Sequence, residues 1–225
     1  MPRSRSRARR ERALGSGLAI AVVACGAPAR PAAPASPTAP SCPADRTVVL
    51  ASRADVARVA DCATLAGVVI RSGAALDVSG LHALATIRGD LIIGPTVGIA
   101  EVSFRELRVV EGALRVHDNG LLQGLFFPRL ERAAAIDVDG NVALTTLSLP
   151  RLASVGGPLH VTANPSVEVI DMSVLASIAQ ELVITGAPEL TLVDVPQLRQ
   201  VASVQLDAPR LPSELVDRLR ATPAP

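Results

Sequence analysis

Residues 112–134 read GALRVHDNGLLQGLFFPRLERAA, and the spacing of aliphatic side chains in this stretch recurs along most of the chain. Leu114, near its start, belongs to a column of apolar residues that return every 22 or 23 positions. The members of this column are Val68, Leu91, Leu114, Ile136, Leu159, Leu182 and Val204. A period of this length is typical of a solenoid, in which each coil buries its apolar face only by stacking on its neighbours.

Four further apolar columns keep the same interval. They are Ile99, Leu122, Leu144, Val167, Leu190; Leu81, Phe104, Phe127, Leu149, Met172, Val195; Leu84, Leu107, Leu130, Leu152, Leu175, Leu198; and Ile87, Val110, Ala133, Val155, Ile178, Val201. Phe104 and Phe127 share a column with leucines and a methionine, so we expect both rings in the core. The columns predict a mainly β fold, a right-handed parallel β-solenoid of about seven coils with short capping helices at both ends.

Each coil contains three apolar segments. The first is a short strand such as Gly157-Pro158-Leu159-His160-Val161, whose period-two alternation places Leu159 and Val161 inward and His160 outward. The second segment, such as 144–149, and the third, such as 152–155, complete the coil. A proline recurs at the corner between the second and third segments: Pro128, Pro150 and Pro196. We therefore expect parallel sheets that run along the stack.

An asparagine follows the first strand at a constant offset in three coils. These residues are Asn119, Asn141 and Asn164. Stacked asparagines at a turn can hydrogen-bond the backbone of neighbouring coils. We interpret the three as a structural ladder, with a sugar-binding role as the alternative.

Both ends of a solenoid need a cover, because an open coil exposes core and an unpaired strand edge. At the front, 47–50 is predicted as a strand, and Ser52-Arg53-Ala54-Asp55 resembles a capping box that opens a helix through Ala60. At the back, Pro212-Ser213-Glu214 opens a predicted amphipathic helix. The apolar side of that helix carries Leu215, Val216 and Leu219.

Residues 1–24 have the features of a secretory signal peptide. Six arginines and a single acid precede the uncharged stretch 13–24, which is shorter than the roughly 20 residues that span a bilayer. Val22-Val23-Ala24-Cys25-Gly26 resembles the lipobox of bacterial lipoproteins, in which a diacylglycerol is attached to the cysteine. The resemblance implies a lipid on Cys25. An ordinary signal peptide with an incidental cysteine is the alternative.

The composition divides the remaining chain into three parts. Residues 25–41 comprise the lipid-anchor cysteine and a Pro/Ala-rich linker that we expect to be disordered and extended. Residues 42–220 form the repeat solenoid, and 221–225 are predicted to be a disordered tail. With Cys25 assigned to the lipid, Cys42 and Cys62 remain as a disulfide pair in an exported protein, although two buried free thiols are the alternative.

Charge argues against a nucleic-acid partner. The whole chain is formally +1, but residues 1–24 hold six arginines and one acid, so the remainder carries 16 arginines and 20 acids, or −4. A mildly acidic exported domain without a basic block in its sequence is poorly suited to bind nucleic acid. We expect a monomer.

The repeat grammar now points to a family. The pattern G-x-L-x-I, then N, then L-x-x-L, then P-x-L-x-x-I, preceded by a cysteine pair around a short helix, resembles the receptor L-domain family over about residues 42–210. That family includes the ligand-binding lobes of insulin- and EGF-type receptors, fungal cell-wall relatives and leucine-rich-repeat lipoproteins of bacteria. In the receptor lobes, ligand contacts lie on one sheet face. The contact residues have no matching motif here, so none is transferred.

The outward side chains of the first sheet are the candidate ligand face. Because adjacent parallel strands lie about 4.8 Å apart, Arg115, Asp137 and His160 should be neighbours, with His117 beside Asp139. Two histidines and two carboxylates could bind a polar ligand or a metal. A cross-strand ladder of opposite charges is the simpler interpretation, so we predict no metal, no cofactor and no catalytic residue.

These patterns predict a lipid-anchored envelope or surface protein with a non-catalytic solenoid that binds a protein or a polysaccharide. Gly26, rather than aspartate, after the lipid cysteine favours the outer membrane by the usual bacterial sorting pattern. Two alternatives stay open: a carbohydrate-active enzyme on a β-solenoid, and a passive envelope spacer.

Overall fold

A computed structural model describes residues 42–224. The predicted signal peptide (1–24), the lipid-anchor cysteine Cys25 and the linker up to residue 41 lie outside these residues. In the described part of the chain, no helix is long and apolar enough to cross a membrane. The chain forms two parallel sheets and two short helices, α1 (Arg53–Arg58) and α2 (Ser213–Arg220).

The sheets build a β-solenoid of about seven coils, as the apolar columns predict. The larger sheet has 11 strands: β1 (Thr47–Leu50), β2 (Thr64–Leu65), β3 (Gly67–Ile70), β4 (Thr86–Ile87), β5 (Leu91–Ile93), β7 (Val109–His117), β9 (Arg132–Asp139), β11 (Ser154–Val155), β12 (Leu159–Thr162), β14 (Ser177–Thr185) and β16 (Gln200–Leu206). The smaller sheet has five: β6 (Glu101–Ser103), β8 (Gly124–Phe126), β10 (Thr146–Ser148), β13 (Val169–Asp171) and β15 (Leu192–Asp194).

The first apolar column forms a continuous buried stack. Leu91 pairs with Leu114 across β5 and β7, and the register continues through Ile136 and Leu159 to Leu182. All five side chains are fully buried. The stack lets each coil remove from water an apolar face that it could not bury alone.

Phe104 and Phe127 lie in the core, as expected from their column. Their rings are parallel and stacked, with centroids 5.5 Å apart, and both side chains are buried. The two rings occupy neighbouring coils, so an aromatic pair replaces an aliphatic one without interrupting the stack.

The larger sheet contains both the third segment of each coil and the first segment of the next coil. A bend joins the two segments. In β7, Val109 and Val110 pair with β4, and residues 114–116 pair with β5. The register with β9 shifts between Val110 and Ala113, because β9 has one residue fewer at the bend. A second shift lies between Ile178 and Glu181, opposite β16. These bulges explain why the sequence period is 22 residues in some coils and 23 in the others.

The opposite corner, between the second and third segments, is a repeated tight turn. The amide of Leu130 donates to the carbonyl of Phe127, and the amide of Leu152 donates to that of Leu149 in the same way. Pro128 and Pro150 occupy the second position of these turns, where their fixed φ is favourable and no amide donor is required.

The front of the solenoid is covered by β1, α1 and a disulfide. Ser52 caps α1 by accepting from the amide of Asp55, while the Asp55 carboxylate accepts from the Ser52 hydroxyl and from the amide of Ala51. The hydroxyl bond from Ser52, followed by the amide of Ala51, lowers the pKa of Asp55. The helix ends at Arg58, two residues earlier than predicted, because Val59 and Cys62 turn into the core.

The predicted pairing of Cys42 with Cys62 is confirmed, with a Cα–Cα distance of 5.6 Å. The bond closes a loop with a sequence separation of 20, which in the chain-entropy description stabilises the fold by roughly 3 kcal/mol. It holds the N-terminal approach against the first coil.

The back of the solenoid is covered by α2, as predicted. Leu219 is buried, and Leu215 and Val216 pack partly buried against the core. Pro223, in the tail 221–225 for which the composition predicts disorder, contacts β16, where the amide of Val201 donates to its carbonyl at 3.0 Å. This contact supplies a partner to the last edge strand.

Candidate functional site

A ladder of buried asparagines supports the turn next to the candidate face. The Oδ1 atom of Asn141 accepts from the Nδ2 atom of Asn119 at 2.8 Å, and the Oδ1 atom of Asn164 accepts from the Nδ2 atom of Asn141 at 3.1 Å. Each Nδ2 group also donates to a carbonyl about one coil back, such as that of Val116 for Asn141. The three side chains are fully buried, so their polar groups are satisfied within the fold and form the structural ladder expected from their spacing.

The ladder has identifiable ends. At the front, the hydroxyl of buried Thr96 donates to the Oδ1 atom of Asn119 at 2.7 Å, so a threonine begins the column. At the back, Ala187 stands at the next equivalent position and is also fully buried. The backbone just before four of these positions is left-handed, with φ values of 55° at Asp118, 66° at Gly140, 52° at Ala163 and 64° at Gly186. One turn geometry is therefore repeated from coil to coil.

The first sheet of the sequence analysis is part of the larger sheet. The structure places the candidate ligand residues in two rows on its outer side, the first-sheet face. Arg115 is in register with Asp137, and Asp137 is in register with His160, which gives the first row. His117 is in register with Asp139, and Asp139 with Thr162, which gives the second row. The expected adjacency of the strands is therefore present.

The side chains of Arg115 and His160 nevertheless contact residues other than their in-register neighbours. Arg115 points back one coil, where its Nη1 atom lies 3.7 Å from the Oδ2 atom of Asp90. His160 points forward one coil, where its Nε2 atom lies 3.1 Å from the Oε1 atom of Glu181. Asp137 lies between these diagonal pairs and forms no ion pair with any residue of the described chain. It is the available carboxylate at the centre of the first row.

In the second row, Asp139 is held by a hydroxyl rather than by a histidine. The Oγ1 atom of Thr162 donates to its Oδ1 atom at 2.6 Å. His117 instead lies 3.1 Å from the Oδ2 atom of Asp118, at the edge of the face. In residues 42–224, no three His, Cys, Asp or Glu side chains cluster closely enough to hold a metal ion.

Sequence reasoning missed three acidic partners on this face: Asp90, Asp118 and Glu181. Asp90 and Glu181 each stand immediately before the inward residue of their strand, Leu91 and Leu182. The column before the inward one contains both acids, so including it would have found them. Asp118 occupies the left-handed turn position and could have been found from its place before Asn119.

An apolar border runs along one side of the face, on the corner that follows the ladder. Val97, Leu121 and Val142 come from three successive coils, and their exposed fractions are 63%, 55% and 54%. Pro165 and Pro188 are exposed at the equivalent positions of the next two coils. Contiguous apolar side chains beside a polar face are a feature of protein-binding surfaces.

No protein-family model, curated protein or solved structure matches this chain.

Proposed function

We propose that this chain is a lipid-anchored cell-envelope protein whose solenoid acts as a non-catalytic binding module for a protein partner. The observation that carries the proposal is the combination of the polar first-sheet face with the apolar border of Val97, Leu121 and Val142. The apolar side chains would supply buried area, and the charged rows would select the partner by complementarity.

The construction of the solenoid supports this role. The buried column and the asparagine ladder hold the exposed side chains on a regular backbone, so little ordering is needed when a partner binds. Preorganisation of this kind lowers the entropic cost of association. The resemblance to receptor L domains, whose ligand contacts lie on one sheet face, points in the same direction.

The proposed anchor is a lipid on Cys25, in the outer membrane. The Cys42–Cys62 disulfide supports export, because such bonds persist in oxidising compartments. The Pro/Ala-rich segment up to residue 41 would hold the solenoid away from the lipid surface. Metabolic labelling with a radioactive fatty acid should label the chain, and Cys25→Ser should abolish the label. Labelling that persists in Cys25→Ser would contradict the anchor.

Site-specific photo-cross-linking on intact cells tests the binding role. A photoreactive residue at Arg115 or at Val142 samples the face and its border, and one at Thr146 on the smaller sheet is the matched control. We expect a reproducible adduct of defined mass from the first two positions and none from the third. Adducts from all three positions to the same extent, or from none, would remove support for the face and favour a passive spacer.

An enzymatic role is tested on the same face. Asp137→Asn combined with His160→Gln removes the two groups best placed for proton transfer in the first row. We expect no glycan turnover by either form against envelope polysaccharide. Turnover by the original chain that the double variant loses would replace the binding module with a carbohydrate-active enzyme.

A further inference from the structure

The arginines of the repeats are concentrated on one wall of the solenoid. We define the third wall as the outward side chains between the proline corner and the bend, in the segments 82–88, 105–111, 128–134, 150–156, 173–180 and 196–202. Between residues 81 and 207 the chain has eight arginines, and seven lie on this wall: Arg88, Arg105, Arg108, Arg129, Arg132, Arg151 and Arg199. The eighth is Arg115, on the first-sheet face. All seven are exposed.

The acidic residues follow a different distribution. The third wall carries three glutamates, Glu106, Glu111 and Glu131, against its seven arginines. The five strands of the smaller sheet contain three acids and no arginine: Glu101, Asp171 and Asp194. A fourth acid, Glu168, lies immediately before β13. A domain that is acidic overall therefore has one wall with an excess of positive charge.

Ion pairs on the wall do not use all of this charge. Arg108 pairs with Glu131 at 2.9 Å, and Arg129 pairs with Glu106. Within residues 42–224, the other five arginines of the wall form no ion pair: Arg88, Arg105, Arg132, Arg151 and Arg199. Exposed pairs contribute little to stability, and adjacent like charges oppose folding, so stability does not account for this concentration of arginine.

Three of the unpaired arginines, Arg105, Arg132 and Arg151, come from three successive coils. Arg132 on β9 is in register with Val109, four residues after Arg105, and with Ser154, three residues after Arg151. Adjacent strands are about 4.8 Å apart, and Arg132 lies three to four residues further along its segment than the other two arginines. The three guanidinium groups are therefore staggered across neighbouring coils. The wall is not flat beside them: Arg132, Ala134 and Ser154 line one shallow hollow at the short bend. Arg151 lines a second hollow with Pro128 and Pro150.

We propose that the third wall binds an extended anionic polymer that crosses neighbouring coils and carries a carboxylate in its repeating units. Guanidinium groups bind carboxylates through two parallel hydrogen bonds and stay charged at any physiological pH. A polymer fits better than a lipid surface, because Val174 is the one large apolar side chain of the described wall that is strongly exposed. The inference extends the proposed binding role to a second face and a second class of partner.

The test measures binding of fluorescein-labelled polygalacturonate to the chain purified from cells in detergent. The test variant combines Arg105→Gln, Arg132→Gln and Arg151→Gln. The matched control combines Arg46→Gln, Arg71→Gln and Arg218→Gln, which removes the same charge from exposed positions off the wall. We expect the test variant to raise Kd at least about tenfold and the control less than about threefold, with a smaller salt dependence in the test variant because fewer counterions are released.

Four outcomes would overturn the proposal. They are equal weakening by test and control variants, equal binding of neutral dextran, no binding of polygalacturonate by the original chain, and capture of anionic phospholipid vesicles in place of the polymer. Thermal unfolding of all three forms checks that the substitutions leave the fold intact. A failure here leaves the fatty-acid labelling and the face-specific cross-links untouched, so it can be distinguished from failure of the proposed function.

Discussion

The turns at the two ends of each first strand differ in how regularly they repeat from coil to coil. At the far end, the chain turns through a left-handed residue into the ladder, where Asn119, Asn141 and Asn164 repeat the same buried hydrogen bonds. At the N-terminal end of the strand, the bend varies in length. Two residues, Ala134 and Ala135, separate the inward-facing residues at the bend in β9, whereas three separate them in β7. The ladder turn repeats with little variation, and the bend changes length from coil to coil.

The difference shows where a solenoid can tolerate irregularity. A buried amide that loses its partner cannot recover it from water, so the ladder enforces one geometry. The bend is exposed at Glu111 and Ala134, so a backbone group that loses its partner when the bend changes length is open to water. Variation in coil length therefore accumulates at the bend.

Deleting one residue from the ladder turn and one from the bend should give the largest difference in the free energy of unfolding between the two regions. Deletion of Gly140 removes the left-handed residue before Asn141 and displaces the ladder, so we expect a loss of 4 kcal/mol or more, on the order of the whole stability of a marginal domain. Deletion of Gly156 shortens a three-residue bend to the length already present in β9, so we expect a loss of about 1 kcal/mol. Urea unfolding of both variants gives the comparison, and equal losses would contradict it.

Substituting the central asparagine should have the next largest effect. Asn141→Ala leaves the carbonyls of Val116 and Asp139 without this donor and the Nδ2 atom of Asn119 without its acceptor, so we expect a loss of about 3 kcal/mol. Thr145→Ala is the matched control, because it removes one exposed hydrogen bond between neighbouring coils, and it should cost less than about 1 kcal/mol. The free energy of unfolding in urea measures both, and a small loss for Asn141→Ala would mean that water enters the ladder.

The left-handed turn position should respond in opposite directions in adjacent coils. Gly186 has a φ of 64°, and a Cβ atom there would lie 3.0 Å from the amide nitrogen of Ala163, so Gly186→Ala should cost about 1–2 kcal/mol. Ala163 already has a φ of 52°, so Ala163→Gly relieves strain, with a net gain below about 1 kcal/mol after the larger backbone entropy of glycine. Thermal unfolding midpoints provide the test, and a midpoint lowered by Ala163→Gly would show that this turn is not strained.

Extending the ladder should have the smallest effect. Ala187 continues the asparagine column, and Pro188 follows it as Pro165 follows Asn164. Ala187→Asn would offer an acceptor to the amide of Asn164, so we expect a gain of up to about 1 kcal/mol. Ala143→Asn, at a partly exposed position on the same corner, is the control and should leave stability within about 0.5 kcal/mol. Destabilisation by Ala187→Asn would show that the buried position is too tightly packed for an amide.

Much of the fold could be predicted because burial is periodic. The five apolar columns, the ladder and the α2 cap each follow from residue type at a fixed spacing, since a side chain at an inward position has few alternatives to the core. The end of α1 could not be predicted in the same way. Val59 and Cys62 turn inward there, and the disulfide to Cys42 joins two segments whose distance depends on the folded chain.

The rows of the candidate site could be predicted from the sequence, but the ion pairs within it could not. The rows containing Arg115, Asp137 and His160 follow from strand register, but their ion-pair partners do not. Arg115 pairs with Asp90 and His160 with Glu181, because long exposed side chains reach diagonally across strands. The lipid on Cys25 and the outer-membrane location stay predictions.

Hydrophobicity and spacing alone specify the solenoid, its coil length and its asparagine ladder, because water drives every inward column to the same place in each coil. The arrangement of charge around the coil required the coordinates. Arginines that follow one another at separations of 3 to 48 residues in the chain come together on one wall only after each bend and corner has turned by a definite angle. Exposed side chains then pair with the oppositely charged groups that lie nearest in space, and the separation of two residues in the sequence does not reveal this distance.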